Sequence, residues 1–168
     1  NDRVLFDRPD LHHLNKEHTV VDLHFHSHYS DGLNRIPKIA QKAEKLGIGI
    51  AVTDHNEIRG AMEMETYEDI FTIPGIEITS AEGSHLLIYF YSAEDLEHFY
   101  IKHVEPYMGQ GVMSSLQLPM EQTILRARAY DCVIIFAHPY CAMYTGVCNV
   151  QFSMEDRQRL FDMVDGIE

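Results

Sequence analysis

His24-Phe25-His26 is where the chain first concentrates groups able to do chemistry. In an extended strand, residues two apart share a face, so both imidazoles point the same way. His55 follows a short apolar run at 48–52, and His138 follows another at 132–137. Glu77 and His85 lie within or beside two further runs of the same kind. A lone histidine at a strand end is more often a hydrogen-bonded structural residue. Repetition at several strand ends, with carboxylates alongside, points instead to a metal centre. Neutral imidazole binds Zn²⁺, Mn²⁺ or Fe²⁺ well, and a carboxylate can bridge two such ions. Ions bridged at about 3.5–4 Å can activate water and stabilise both the attacking and leaving oxygens in phosphoryl transfer.

Such a centre needs strands that end in one place, and the hydrophobic pattern supplies them. Residues 20–27 alternate, with Val21, Leu23 and Phe25 on one face and Asp22, His24 and His26 on the other. The spacing of Ile36, Ile39, Ala40, Ala43 and Leu46 predicts a helix over 35–46, with Pro37 in its first turn and Gly47 after its end. Further strands are expected at 48–52, at 70–80 with a break at Pro74-Gly75, at 85–91 and at 132–137. Ser92 and Asp95 form a capping box for a helix whose stripe is Leu96, Phe99, Tyr100 and Val104. Helices are also expected at 119–130 and 153–164, and a Gly- and Ser-rich loop at 109–118. Strands separated by helices indicate βαβ units, a mostly parallel sheet and a (β/α) barrel, whose active sites lie at the C-terminal strand ends. Residues 1–18 read as a polar, irregular extension whose His12, His13 and His18 have no metal role, and 19–168 as one domain.

Composition narrows the classes of function. The 168 residues are 45% hydrophobic with a net charge of −13, enough for one core and unlike a disordered chain. No apolar run approaches the roughly 18 residues needed to span a bilayer, so no membrane partner is expected. The acidic balance argues against an extended nucleic-acid surface, because such binding needs clustered Lys and Arg. Cys132, Cys141 and Cys148 are too few for a disulfide framework and fit a reducing, cytoplasmic setting. There is no G-x-x-x-x-G-K-[ST], G-x-G-x-x-G or G-x-S-x-G, so nucleotide-loop and serine-hydrolase readings have no support.

The histidine-bearing segments together resemble a known family. His24-Phe25-His26-Ser27-His28-Tyr29-Ser30-Asp31-Gly32 resembles the first motif, H-x-H-x-x-x-S-D-G, of the PHP (polymerase and histidinol phosphatase) superfamily. Thr53-Asp54-His55-Asn56 is similar to the second, and Pro74-Gly75-Ile76-Glu77 to the glutamate-bearing third. Gly83-Ser84-His85, Ala137-His138-Pro139 and Asp165-Gly166-Ile167-Glu168 match later segments in order. The resemblance implies a distorted TIM-like (β/α)7 barrel with two or three divalent ions (Zn, Mn or Fe). It implies that His24 and His26 hold one ion with Glu77, which bridges to a second held also by His85 and His138, while Asp31 and His55 belong to a third. It further implies a phosphoesterase in which a metal-activated water attacks a small phosphorylated metabolite or nucleotide. The family's last motif, an Asp-x-His, has no counterpart here, and a two-residue strand is an abrupt end. The sequence is therefore expected to be cut before the final strand or strands.

Substrate contacts are less determined. Arg59, four residues after His55, has two readings: a bidentate anchor for a substrate phosphate, or a helix-surface arginine. Asn56 either hydrogen-bonds near the site or caps the next helix. Close relatives that act on nucleotides often carry a basic residue soon after the His-Pro, and the run 140–144 has none. His98 and His103 read as structural, His28 as facing solvent or supporting the site, and Tyr130, Tyr140 and Tyr144 as packing residues. Two alternatives stay open: an amidohydrolase-type hydrolase, whose barrel also opens with His-x-His, and a non-catalytic or regulatory metal-binding domain.

Overall fold

The computed structural model describes residues 9–110, 114–141, 145–148 and 152–168. A short helix α1 (Leu11–Glu17) precedes β1 (Val21–Phe25), α2 (Ile36–Leu46) and β2 (Gly49–Val52). After α3 (Arg59–Met64) come β3 (Gly75–Thr79) and β4 (His85–Phe90), then α4 (Ala93–Phe99), which runs on through irregular helical turns to Tyr107. Helix α5 (Met120–Ala127), strand β5 (Cys132–Phe136), helix α6 (Met154–Phe161) and strand β6 (Gly166–Ile167) complete the order.

The strands form two sheets, β1-β2 in parallel and β3-β4-β5-β6 mixed. Isolated parallel bridges, Ile50 with Thr72 and His55 with Glu77, carry the first sheet into the second. The result is a distorted α/β fold with open, mixed sheets rather than a closed barrel. The expectation of a mostly parallel sheet needs one correction: β4 runs antiparallel to both of its neighbours. The turn between β3 and β4 is five residues, 80–84, far too short for the crossover that a parallel pair requires, so the chain makes a hairpin. Residues 11–17, expected to be irregular, are helical. Asp10 accepts from the His13 N–H at the helix start, and Asn15 Nδ2 donates to the Leu46 carbonyl. That helix buries no side chain, so it left no apolar stripe to find.

Alternation within the strands sorts side chains between two layers. Ile76 and Ile78 of β3, Leu86, Ile88 and Phe90 of β4, and Ile134 and Phe136 of β5 pack outward with Leu96, Phe99, Ile124 and Leu160 of the helices. The intervening positions face inward, where Leu87, Tyr89, Ala51 and Ala137 form a small inner cluster. Gly75, Glu77 and Thr79 alternate with Ile76 and Ile78, which places a carboxylate inside the fold. Helix α2 buries Ile36, Ile39, Ala40 and Ala43 against Ile50 and Val52, and Gly47 ends it at φ +66°. In β1 the pairing shifts register between Asp22 and Phe25. Strict alternation fails there, and Leu23 is left 43% exposed beside Tyr89 instead of packing with Phe25.

Beyond α6, Asp165 ties the last strand down. It accepts from the Ile134 N–H at 2.8 Å and from both terminal nitrogens of Arg128. Partial burial would raise its carboxyl, but the Arg128 guanidinium and the Ile134 N–H hold it below the usual carboxylate range. The Arg128 pair is solvent-exposed, so most of the effect rests on the backbone hydrogen bond, and Asp165→Asn is expected to cost about 1 kcal/mol in urea unfolding. Because the folded pKa is depressed, this stabilisation is fully present above the unfolded value of about 3.9 and is lost as pH falls through the folded one. The gap between wild-type and variant stability should stay constant near neutrality and close only at acid pH.

Candidate metal centre

Glu77 has no solvent exposure, and five imidazoles surround it. Oε2 lies 2.8 Å from His26 Nε2, 3.2 Å from His55 Nδ1 and 3.3 Å from His24 Nε2. Oε1 lies 2.9 Å from His85 Nδ1 and 3.1 Å from His138 Nε2. The glutamate is fixed through its backbone: its N–H donates to the Asp54 carbonyl and its carbonyl accepts from the Asn56 N–H. That exchange is the bridge between His55 and Glu77, so the link between the two sheets also assembles the site. Asp31 Oδ1 meets His26 Nδ1, and Asp31 Oδ2 lies 3.7 Å from His55 Nε2. Six of the seven residues expected to ligate metal therefore converge in overlapping sets, His24, His26 and Glu77; His26, Asp31 and His55; His55, Glu77 and His85, and the seventh, His138, joins them through Glu77 Oε1.

A buried carboxylate to which the second motif gave no role of its own shapes the loop after β1. Asp54 accepts from the Ser27 N–H at 2.7 Å, the Ser27 hydroxyl at 2.6 Å and the Ser30 hydroxyl. The loop then folds so tightly that a Cβ on Gly32 would lie 2.0 Å from the His26 carbonyl oxygen. A Cβ on Gly60 would lie 2.1 Å from Asp54 Oδ2. The Ser and Gly of the first motif are thus packing requirements that aim His26 and Asp31.

Glu168 is the second residue that sequence reasoning missed in this role. Its Oε1 meets His24 Nδ1 at 3.0 Å, and its Oε2 accepts from the His138 N–H at 2.9 Å. The carboxylate thus spans from the end of β6 to β1 and also holds His138, whose backbone adopts a left-handed φ of +28°. The sequence signal was its place in the late segment Asp165-Gly166-Ile167-Glu168, which gave it no role toward a ligand. Asn56, also left-handed at φ +49°, is buried, with Oδ1 accepting from the Thr79 N–H and Nδ2 donating to the Ser114 carbonyl. The start of α3 is capped by Glu57, which accepts from the Ile58 and Arg59 N–H groups. The Arg59 side chain is 66% exposed, paired with Glu57 at 2.6 Å and lying over the Tyr29 ring. His103 and Tyr130 pack with Phe99, and Tyr140 is exposed. Tyr144 and the rest of 142–144 fall outside the described residues.

Electrostatics follow from the crowding. Burial would raise the Glu77 carboxyl, but the close ring nitrogens of His138, His24, His26 and His85 hold it far below the usual range. Burial would lower His24, but Glu77 and Glu168 override it and push the imidazole up to about 9. His55 goes the other way: burial and the neighbouring His26 and His85 push it down to about 4, despite Glu77. The donor set fits divalent metal better than protons. His24 Nε2 and His26 Nε2 face each other at 3.1 Å, and the buried Glu77 Oε2 between them makes no well-directed hydrogen bond. A shared cation satisfies all three atoms. A neutral imidazole offers one lone pair, so His26 with Nε2 toward Glu77 leaves its Nδ1–H to Asp31. Metal loading must displace the His24 proton, so binding is expected to release protons at neutral pH. Affinity should rise with pH up to about 9, as read by calorimetry in buffers of different ionisation enthalpy.

Comparison with known proteins places this geometry. Residues 22–144 match the model of the PHP domain. An uncharacterised protein of Methanocaldococcus jannaschii is 29% identical over 164 aligned residues, covering 88% of this chain and 79% of that one. A protein of Bifidobacterium adolescentis described as a metal-dependent phosphoesterase superposes with a TM-score of 0.63 at 16% identity, over 89% of this chain and 77% of its own. Endonuclease Q, solved with a 27-mer duplex carrying an abasic lesion at the active site, superposes with a TM-score of 0.67 at 22% identity. It covers 82% of this chain, which spans 39% of that protein; the Pyrococcus furiosus enzyme gives 0.65. These superpositions establish the fold. They also overturn the expectation of no extended nucleic-acid surface, since the same fold in endonuclease Q engages a DNA duplex. The error lay in reading a chain-wide charge as the field at one face. Among the described residues, no helix is long and apolar enough to cross a membrane. With most of its length matched and its histidine-bearing strands in that order, the chain belongs to the PHP domain family.

Proposed function

We propose that the chain is a metal-dependent phosphoesterase that hydrolyses a small phosphorylated metabolite or a nucleotide. The observation that carries this reading is the fully buried Glu77, with histidine nitrogens ranged along both of its oxygens. His24 and His26 would hold one ion with Oε2, and His85 and His138 a second with Oε1, leaving Asp31 and His55 for a third. Divalent ions of the zinc, manganese or iron kind, held there, would supply Lewis acidity toward the phosphoester and lower the pKa of a water.

The chain's own residues prepare that chemistry. Glu168 on His24 Nδ1 fixes the tautomer that directs the Nε2 lone pair inward, as carboxylates do for ligating histidines. Thr79 Oγ1 lies 3.1 Å from His55 Nδ1 and orients that ring. Asn56 clamps the second motif to β3 and keeps His55 over Glu77. Arg59 would have to leave Glu57 to reach a substrate phosphate, so its contribution would be to binding rather than to the chemistry.

Three variants grade the reading. Glu77→Gln is close in volume but removes the charge shared by the histidines, and stoichiometric metal and turnover of bis(p-nitrophenyl) phosphate should both be lost. Glu168→Gln should keep the fold and weaken metal binding by about 10–100-fold. His138→Ala should lose metal from the site shared with His85. Purified protein without stoichiometric transition metal, or phosphoester turnover unchanged in Glu77→Gln and His138→Ala, would sink the proposal. Amide hydrolysis in place of phosphoester hydrolysis would transfer the chain to amidohydrolase-type chemistry. Bound metal with neither activity would make it a regulatory domain.

A further inference from the structure

The sequence of −13 net charge carries one helix face with only positive charge. Arg35, Lys38, Lys42 and Lys45 recur at intervals of three, four and three residues, which places them on one stripe of α2, and all four are exposed. The stripe is about 15 Å long at 1.5 Å per residue, the axial length of about four successive phosphates of one strand. Arginine ion pairs with carboxylates are made elsewhere, by Arg59, Arg128 and Arg159; no ion pair among the described residues involves these four.

Beside the stripe lies a groove of about 450 Å³ between α2 and β1. Phe25, Ile39, Leu46 and Ile48 form its apolar lining, Lys38 and Lys42 stand at its edge, and Asp22 is its one acid. The groove has Phe25 and Asn34 in common with the cleft over His24 and His26, so the two adjoin. Leu33 stands at that junction with 97% of its surface exposed, an apolar tip of the kind that wedges against bases.

The geometry points to a polynucleotide strand as the occupant: phosphates along the lysine stripe, bases against the apolar lining, and one phosphodiester led to the histidine cleft. This deepens the phosphoesterase reading, on which it rests, by naming the substrate class. Aromatic and apolar contact with bases combined with a cationic track is how single strands are held without sequence preference.

The test is the salt dependence of binding, read as fluorescence anisotropy of a labelled single strand of about 16 nucleotides on the purified protein. Four phosphate contacts give a slope of about −3 in log affinity against log salt, and Lys38→Ala with Lys42→Ala should halve it. Lys102→Ala, outside the groove, should leave it unchanged. The melting curve of the double variant checks that it is folded, and the two single variants should each remove about a quarter of the slope. No binding at low salt, a slope unaffected by the double variant, or equal displacement of the strand by poly-glutamate would each overturn the proposal. So would concentration-dependent self-association abolished by the double variant, which would make the face a contact between copies. Turnover of bis(p-nitrophenyl) phosphate without strand binding removes the groove and leaves the phosphoesterase. Strand binding without turnover does the reverse.

Discussion

A carboxylate without access to water is the constraint on which the rest of this structure depends. Burying an ion costs several kcal/mol even after relaxation, and only close, well-directed partners offset it. Glu77 has five imidazoles within 3.3 Å, contributed by β1 and the residue after it, the turn after β2, β4 and the turn after β5. A cation shared with them would satisfy the Oε2 whose hydrogen bonds are poorly directed. No single element could supply the five imidazoles, since a five-residue strand presents at most three side chains on one face. The compensation of one charge therefore requires the sheets to meet where they do. Inward placement of Glu77 follows in turn from the outward packing of Ile76 and Ile78.

The openness of the fold gives polar links a structural weight that a closed barrel would assign to strand pairing. Among the described residues β1 pairs with β2 alone, and β6 with β5 alone. Between β6 and β1 the Glu168 carboxylate reaches His24, and from β4 the Tyr89 hydroxyl donates to the Leu23 carbonyl. These contacts hold the histidine-bearing end of β1 to the larger sheet. The Asp54 cluster does the same for the loop that follows, where two serines and two glycines leave little freedom in how His26 and Asp31 point.

Much of this was legible in the sequence, and the parts that were not share a cause. The i, i+2 histidines, the α2 stripe with its Gly47 stop and the Ser92–Asp95 capping box are local signals, and each element lies where periodicity puts it. The sense of β4 depends on how short a turn the chain can close, and the register shift in β1 on what packs against it. Neither is written in one strand's pattern. Asp54 and Glu168 stood within matched segments, but their roles escaped, because a carboxylate that orients a loop or ligand from across the fold has no spacing to announce what it touches. The basic stripe of α2 was present in the sequence but hidden by summing charge over the whole chain, when a helix face is the unit that meets a partner.

His24 and Glu168 touch although 144 positions separate them along the chain. Contacts of such long range are slow to form, because loop-closure entropy is lost before the contact repays it. During synthesis the first motif leaves the ribosome long before the histidine of β5 and the acid of β6 exist. An early chain therefore carries imidazoles without the geometry to grip an ion strongly or selectively. Capture of the right metal becomes a late event, gated by completion of the tertiary fold and not by the appearance of the ligands.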